Sequence, residues 1–179
     1  TLQNQIGNTI EKGVNHTAYP FEALALAANG TILAVASSMD SPSAPSTSTA
    51  VFQVQVYRLE ASSNTWMEMG EPLEGLNPGD HFGSSVKLNP EGTFLTVGAY
   101  FDNSTGTLSG RVASYEFDKD AVEWVPFGDD VYGPANSAFG YSIDLHPSGN
   151  QMVVGAPQSP TNGISSGEAF LYSLAGRTD

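Results

Sequence analysis

Phe82-Gly-Ser-Ser-Val-Lys-Leu-Asn-Pro-Glu-Gly-Thr-Phe-Leu-Thr-Val-Gly-Ala99 and Phe139-Gly-Tyr-Ser-Ile-Asp-Leu-His-Pro-Ser-Gly-Asn-Gln-Met-Val-Val-Gly-Ala156 are one phrase written twice, 57 residues apart. In Ser85–Leu88 and Ser142–Leu145 polar and apolar residues alternate, the period of a half-buried strand. Asn89-Pro-Glu-Gly92 and His146-Pro-Ser-Gly149 follow, with proline where a type I turn holds φ near roughly −65° and glycine at the last turn position. Each phrase therefore predicts a tight antiparallel hairpin. Its second arm, Phe94–Ala99 or Gln151–Ala156, is apolar almost throughout and predicts a fully buried strand. Gly110–Phe117 and Gly167–Leu174 supply a third strand, and Trp66–Gly70 and Trp124–Gly128 a fourth. No segment keeps a helical period over ten residues.

The repetition extends beyond the hairpin. Trp66 and Gly70 match Trp124 and Gly128 at an offset of 58, and Tyr115 matches Tyr172 at 57. A degenerate third copy lies upstream, where Ile6-Gly7, Gly13, Leu24, Leu26, Gly30, Val35-Ala36 and Tyr57 fall in register, its extra residues held in a Ser/Thr/Pro-rich loop over 37–49. Three tandem four-stranded repeats of about 57 to 62 residues, at 1–62, 63–120 and 121–179, predict an all-β fold of β-propeller blades. In that geometry Gly98 and Gly155 mark close backbone approach between neighbouring strands, and Phe82-Gly83, Phe139-Gly140, Trp66 and Trp124 are packing positions. Propellers close with roughly four to eight blades, so three predict part of a larger propeller: neighbouring blades in a longer chain, or a homo-oligomer in which two chains complete a ring.

Composition bounds the partners. The 179 residues carry 6 Lys and Arg against 19 Asp and Glu, a net charge of −13, which repels phosphate backbones and argues against nucleic acid. With 40% hydrophobic and only 14% charged residues the chain has the makings of a core rather than of a disordered acidic tail. Cysteine is absent, which removes disulfides, thiolate metal sites and a cysteine nucleophile. The most apolar run, Ala23–Ala36, is broken by Asn29, Gly30 and Thr31, so no membrane insertion is expected.

Phe139-Gly140-Tyr-Ser142-Ile143 followed by Val154-Gly-Ala-Pro157 resembles the FG-GAP repeat of integrin alpha-chain propellers. The resemblance covers nearly the whole chain, is most specific in the second and third copies, and is degraded in the first, which has Pro20-Phe21-Glu-Ala-Leu24 and Val35-Ala-Ser37 at the motif positions. It implies an extracellular or cell-surface module for adhesion, binding or structure. FG-GAP blades often hold calcium in an Asp-x-Asp-x-Asp-Gly loop, yet the corresponding turns here, Ala27–Gly30, Asn89–Gly92 and His146–Gly149, share a single carboxylate, Glu91, so no such metal site is expected.

Catalytic signatures are equally sparse. His16, His81 and His146 lie on three separate turns, no serine sits in a nucleophile elbow, and the adjacent Asp129 and Asp130 do not converge if they lie on a strand. Asp118, Asp120, Glu123, Asp129 and Asp130 read as a solvated hairpin face. Neither enzymatic activity nor a cofactor is expected. Asn15-His-Thr17, Asn29-Gly-Thr31 and Asn103-Ser-Thr105 are candidate N-glycosylation sites in loops, in keeping with a glycoprotein. Two functions are consistent with these features: an extracellular module making protein–protein or protein–glycan contacts, or a secreted carbohydrate-active enzyme or its accessory domain. The second requires two carboxyl groups about 5 to 9.5 Å apart in a sugar-sized cleft.

Overall fold

The computed structural model describes residues 4–10, 23–39 and 50–174, and among these every regular element is a β-strand. Asn15, His16, Phe21 and residues 40–49 of the Ser/Thr/Pro-rich loop lie outside the described residues. Among the described residues thirteen strands form three antiparallel sheets in chain order. The first contains β1 (Leu24–Leu26), β2 (Ile32–Met39), β3 (Val51–Glu60), β4 (Thr65–Glu68) and β5 (Leu73–Glu74). The second contains β6 (Phe82–Leu88), β7 (Phe94–Ala99), β8 (Arg111–Asp118), β9 (Glu123–Pro126) and β10 (Val131–Tyr132). The third contains β11 (Ser142–Leu145), β12 (Gln151–Ala156) and β13 (Glu168–Ser173).

The hairpins close as the turn residues dictate. Gly30, Gly92 and Gly149 each donate a backbone hydrogen bond to the carbonyl three residues earlier, on Ala27, Asn89 and His146, and each has φ near +70°. At Asn89 the side-chain carbonyl accepts the amides of Thr93 and Phe94, so the turn is filled by its own asparagine.

Four strand positions per sheet become five elements in the first two sheets because the outer strand is broken. β4 and β5 both pair with β3, and β9 and β10 both pair with β8. The breaks contain Gly70 (φ 79°) and Gly128 (φ 70°), a left-handed conformation that glycine adopts without steric cost. The outer strand also shifts the boundaries: the Trp66 segment is hydrogen-bonded to the first sheet, so the repeat read as starting at 63 is one strand out of phase with the sheets. Ser37–Met39, read as loop, continue β2 and pair with Val51–Gln53, because β2 and β3 are long enough to extend the ladder there.

The sheets pack face to face in sequence order. One core joins the first and second sheets through Ile32, Ala34, Ala36, Phe52, Val54 and Val56 against Phe82, Val86, Leu95 and Val97. The other sets Val112 against Phe139, Ile143, Met152, Val154 and Ala156. Phe82 and Phe139 are wholly buried, one in each core, and burying each ring contributes roughly 1.5–3 kcal/mol. β7, flanked by sheets on both faces, is buried at every residue. β12 differs from the expected buried strand: Gln151 and Val153 are exposed, because no described sheet lies on that face.

Small residues sit where sheets meet. A Cβ at Gly98 would collide with the Gly140 carbonyl oxygen and the Ser85 hydroxyl, and a Cβ at Gly83 would lie 2.7 Å from Ala36 Cβ. Gly155 is crowded from within its own sheet, by Ser142 Oγ. The Ser85 hydroxyl donates to the Gly140 carbonyl at 2.7 Å, a polar bond from the second sheet to the third. The tryptophans form a second link between repeats. Trp124 Nε1 donates to the Met69 carbonyl (2.9 Å) beside Gly70, and Trp66 Nε1 donates to the Ile6 carbonyl (3.3 Å) beside Gly7. Tyr115 meets Phe82 edge-on, and Tyr172 meets Phe139 edge-on.

Candidate functional site

One end of the three sheets gathers the connections 75–81, 100–110, 133–141 and 157–167, and backbone hydrogen bonds stitch them together. Gly79 N donates to Ala50 O (3.0 Å), Phe101 N to Asp80 O (3.2 Å), Asn136 N to Thr107 O (2.7 Å) and Gln158 N to Ser137 O (3.1 Å). Five non-glycine residues in these loops, His81, Leu108, Asn136, Ala138 and Ser165, have φ between 49° and 58°. Such conformations cost energy and persist only where surrounding structure holds them. The opposite end, made of tight turns, has two among the described residues, Asn64 and Val122.

What holds the loops is a buried charge cluster. Arg111 opens β8, is 1% exposed, and sits under three carboxylates from three different connections. Its guanidinium bonds Asp130 Oδ2 at 2.7 Å and lies 3.6 Å from Asp80 Oδ2 and 3.5 Å from Asp102 Oδ2, with its face 5.4 Å from the Phe82 ring centroid. Asp80 also accepts the amides of Phe82 (3.0 Å) and Asn77 (3.4 Å), and Asp102 accepts the Ser104 amide (2.8 Å). One cation thus fixes the loop ends that shape the surface above it. Burial pushes the Asp80 carboxyl above the usual range, an effect that its amide bonds and Arg111 offset only in part. Asp130 is therefore no part of a solvated hairpin face, because Arg111 draws it inward.

Above the cluster runs an aromatic ladder. Phe52, at the core, stacks on His81 (4.5 Å between centroids); His81 meets Tyr100 (5.2 Å) and Phe101 (5.3 Å); and Tyr100 meets Tyr141 (5.2 Å). The ladder crosses all three sheets and ends in solvent, with Phe101 44% and Tyr141 55% exposed. Two hollows flank it. One, of about 440 Å³, is lined by Asn77, Pro78, Gly79, Asp80, Phe101, Asn103 and Ser104. The other, of about 360 Å³, is lined by His81, Ser84, Tyr100 and Tyr141. Both volumes lie in the lower range of small-molecule sites.

The residues singled out in sequence distribute between packing and this end. Trp66, Gly70, Phe82, Gly83, Gly98, Tyr115, Trp124, Phe139, Gly140 and Tyr172 are in the inter-repeat and core contacts above, and Gly128 has open space beside it. Asn29 is exposed on the β1–β2 turn, its side-chain carbonyl accepting both the amide and the hydroxyl of Thr31 at 2.9 Å. Asn103 stands on the wall of the larger hollow, its Nδ2 donating to Phe101 O (2.9 Å) and its Oδ1 accepting Leu108 N (2.6 Å). A glycan there would project over the hollow. His146 is exposed in its turn, with Nδ1 2.6 Å from Ser148 Oγ. Among the described residues no group of three His, Asp or Glu side chains is placed to hold a metal ion. The Arg111 cluster and the ladder were missed in sequence. The one available signal was an arginine opening a strand in a chain with few cations.

No protein-family model and no curated protein matches the chain. Solved structures do. The chain superposes over 89% of its length on hydrazine synthase of Kuenenia stuttgartiensis, with a TM-score of 0.58 and 16% identity, and spans 47% of that chain. It superposes over 92% of its length on Sqt1 of Saccharomyces cerevisiae, with a TM-score of 0.52 and 14% identity, and spans 37% of that chain. The chain thus covers less than half of either structure, and at these identities the likeness is one of fold, an all-β arrangement of antiparallel sheets, with propeller-like folds among the similar structures.

Proposed function

We propose that the three sheets are β-propeller blades of FG-GAP-like type, and that the chain is an extracellular or cell-surface binding module engaging a protein or glycan partner through the loop end. The observation that carries this reading is the convergence there of strained loops from every sheet, exposed aromatics and two hollows over a rigid buried support. Binding surfaces favour loops held by a stiff scaffold, and Arg111 with its three aspartates supplies the stiffness. The propeller-like neighbours and the inter-repeat contacts support the blade assignment. The exposed sequons at Asn29 and Asn103 fit an extracellular setting. A carbohydrate-active enzyme is the weaker reading, because the larger hollow is lined by one carboxylate, Asp80, already engaged by Arg111, and the smaller by none.

The test is a contrast between the two ends. Beads coated with the chain are scored for adhesion to immobilised extracellular glycoproteins. Asn77→Arg with Ser104→Arg, which fills the larger hollow, is expected to lower adhesion about tenfold or more, the loss of a central contact worth roughly 1.4 kcal/mol. Glu91→Arg with Ser148→Arg on the opposite turns is expected to leave it unchanged. Adhesion lost only with the second pair would count against the loop end.

A further inference from the structure

We infer that the loop end takes an uncharged glycan, its sugar rings stacked on Phe101, Tyr100 and Tyr141 and its hydroxyls met by Asn77, Ser104 and Ser84. The inference rests on the loop-end reading and adds the chemical class of the ligand.

Charge narrows the ligand first. Among the described residues Arg111 is the sole Lys or Arg at this end, and it is buried under three carboxylates, so no lysine or arginine there is placed to meet a phosphate, a sulfate or a uronate. The carboxylates are no better placed for a cationic peptide. Asp80 and Asp102 are buried, turned toward Arg111 and capped by backbone amides, so they do not face a ligand as free negative charges. Asp130, half-buried and bonded to Arg111, lines neither hollow, and apart from Asp80 the lining of the two hollows is aromatic faces and hydrogen-bonding groups without a carboxylate. A pyranose offers the complement: axial C–H bonds on an apolar face, which aromatic rings cover, and a rim of hydroxyls that both donate and accept.

The neutral groups are suited to that rim. Asn77 Nδ2 and Ser104 Oγ are neighbours in the lining of the larger hollow, 3.5 Å apart and at the limit of a hydrogen bond, and a carboxamide presents a donor and an acceptor side by side, the pattern that vicinal hydroxyls satisfy. Ser84, in the smaller hollow, donates to the Gly98 carbonyl and retains its oxygen lone pairs. Tyr100 and Phe101 are consecutive, with ring centroids 5.2 Å apart and planes at 79°, and each lines a different hollow. The two hollows therefore read as adjoining subsites for an oligosaccharide rather than as separate sites.

The experiment uses the whole chain from a host that does not add N-glycans, probed on an array of neutral glucans, mannans, xylans and galactans alongside sulfated and uronate-bearing glycans, with affinities of the hits measured in solution. Binding to at least one neutral series, little changed by salt, is expected. Phe101→Ala and Tyr141→Ala, both at exposed rings, should each weaken it about tenfold with unfolding midpoints unchanged, and Leu171→Ala, exposed on the third sheet, should not. The same chain glycosylated at Asn103 should bind more weakly. No neutral glycan bound, binding only to charged glycans, or wild-type affinity in both aromatic variants overturns the inference. Adhesion to glycoprotein that needs Asn77 and Ser104 but survives removal of all glycans also overturns it, in favour of a protein partner, and leaves the loop end standing as the site. Glycan binding that is lost only with the opposite-end pair overturns both.

Discussion

Arg111→Met lowers the stability of the chain by about 3–5 kcal/mol at neutral pH, the usual cost of removing one partner from a buried ionic group. Methionine fills much of the arginine's volume, so the loss is electrostatic rather than a cavity. Asp80 and Asp102 are left buried without a counter-ion, and Asp130 loses its 2.7 Å bond. The sign of the pH dependence follows. Burial already holds the folded-state pKa of Asp80 above its ordinary value of 3.8, and removing the nearby positive charge raises it further. A carboxyl whose pKa is higher folded than unfolded binds more protons in the folded state, so its penalty is fully present above the folded pKa and fades as pH falls toward the unfolded one. The deficit of Arg111→Met relative to wild type therefore shrinks on acidification from neutral toward the range just above 3.8. Urea midpoints of both proteins at neutral and at mildly acidic pH check this. A deficit below about 1 kcal/mol, or one that grows on acidification, contradicts the structural role of the cluster.

Gly98→Val is expected to be the most damaging change at a sheet–sheet contact, costing about 3 kcal/mol or more. A β-carbon at this position meets the backbone carbonyl of Gly140, and backbone cannot rotate aside as a side chain can. The second and third sheets must separate locally, which also breaks the Ser85–Gly140 hydrogen bond. Gly30→Ala is the informative control. Gly30 has open space around it but φ of 71°, so alanine there pays only the left-handed backbone cost of about 1–2 kcal/mol. The ordering, valine at 98 well below alanine at 30, separates inter-sheet crowding from backbone strain. Equal midpoints for the two variants would show that Gly98 is not a contact point.

Much of the architecture was legible because hairpins are local. Proline and glycine at fixed turn positions and alternation in Ser85–Leu88 act within a few residues, and the 57-residue echo does the rest. The broken outer strands were legible only as glycines, since whether Gly70 ends a strand or bends it depends on which sheet the chain rejoins. The continuation of β2 through Ser37–Met39 was hidden for a like reason: serines next to a Ser/Thr/Pro-rich stretch look like loop until β3 is laid beside them. The candidate site was not legible at all. Asp80, Asp102 and Asp130 lie in three connections, and nothing in their sequence spacing brings them to one guanidinium; the side-by-side pairing of β6, β7, β8 and β10 in the second sheet does. The same holds for Phe52, His81, Tyr100 and Tyr141, which touch only because the first, second and third sheets deliver them to one end. Asn103, noticed as a glycosylation sequon, turns out to stand on the wall of a hollow.

Everything inferred for the loop end depends on the connections meeting there, and one cross-link between the β7–β8 and β10–β11 connections reports on that directly. A Cβ at Gly106, in the β7–β8 connection, would lie 3.2 Å from Ala135 Cβ in the β10–β11 connection, a few tenths of an ångström short of the range of about 3.5–4.5 Å that disulfides span, a gap that a small loop shift closes. The chain has no cysteine, so Gly106→Cys with Ala135→Cys introduces the only thiols. Mild oxidation of the folded double variant followed by thiol titration is expected to show both thiols consumed within the monomer, with the cross-link lost from protein oxidised in denaturant at the same rate. Two free thiols persisting in the folded chain would contradict the meeting of these connections, and with it the assembly of the site.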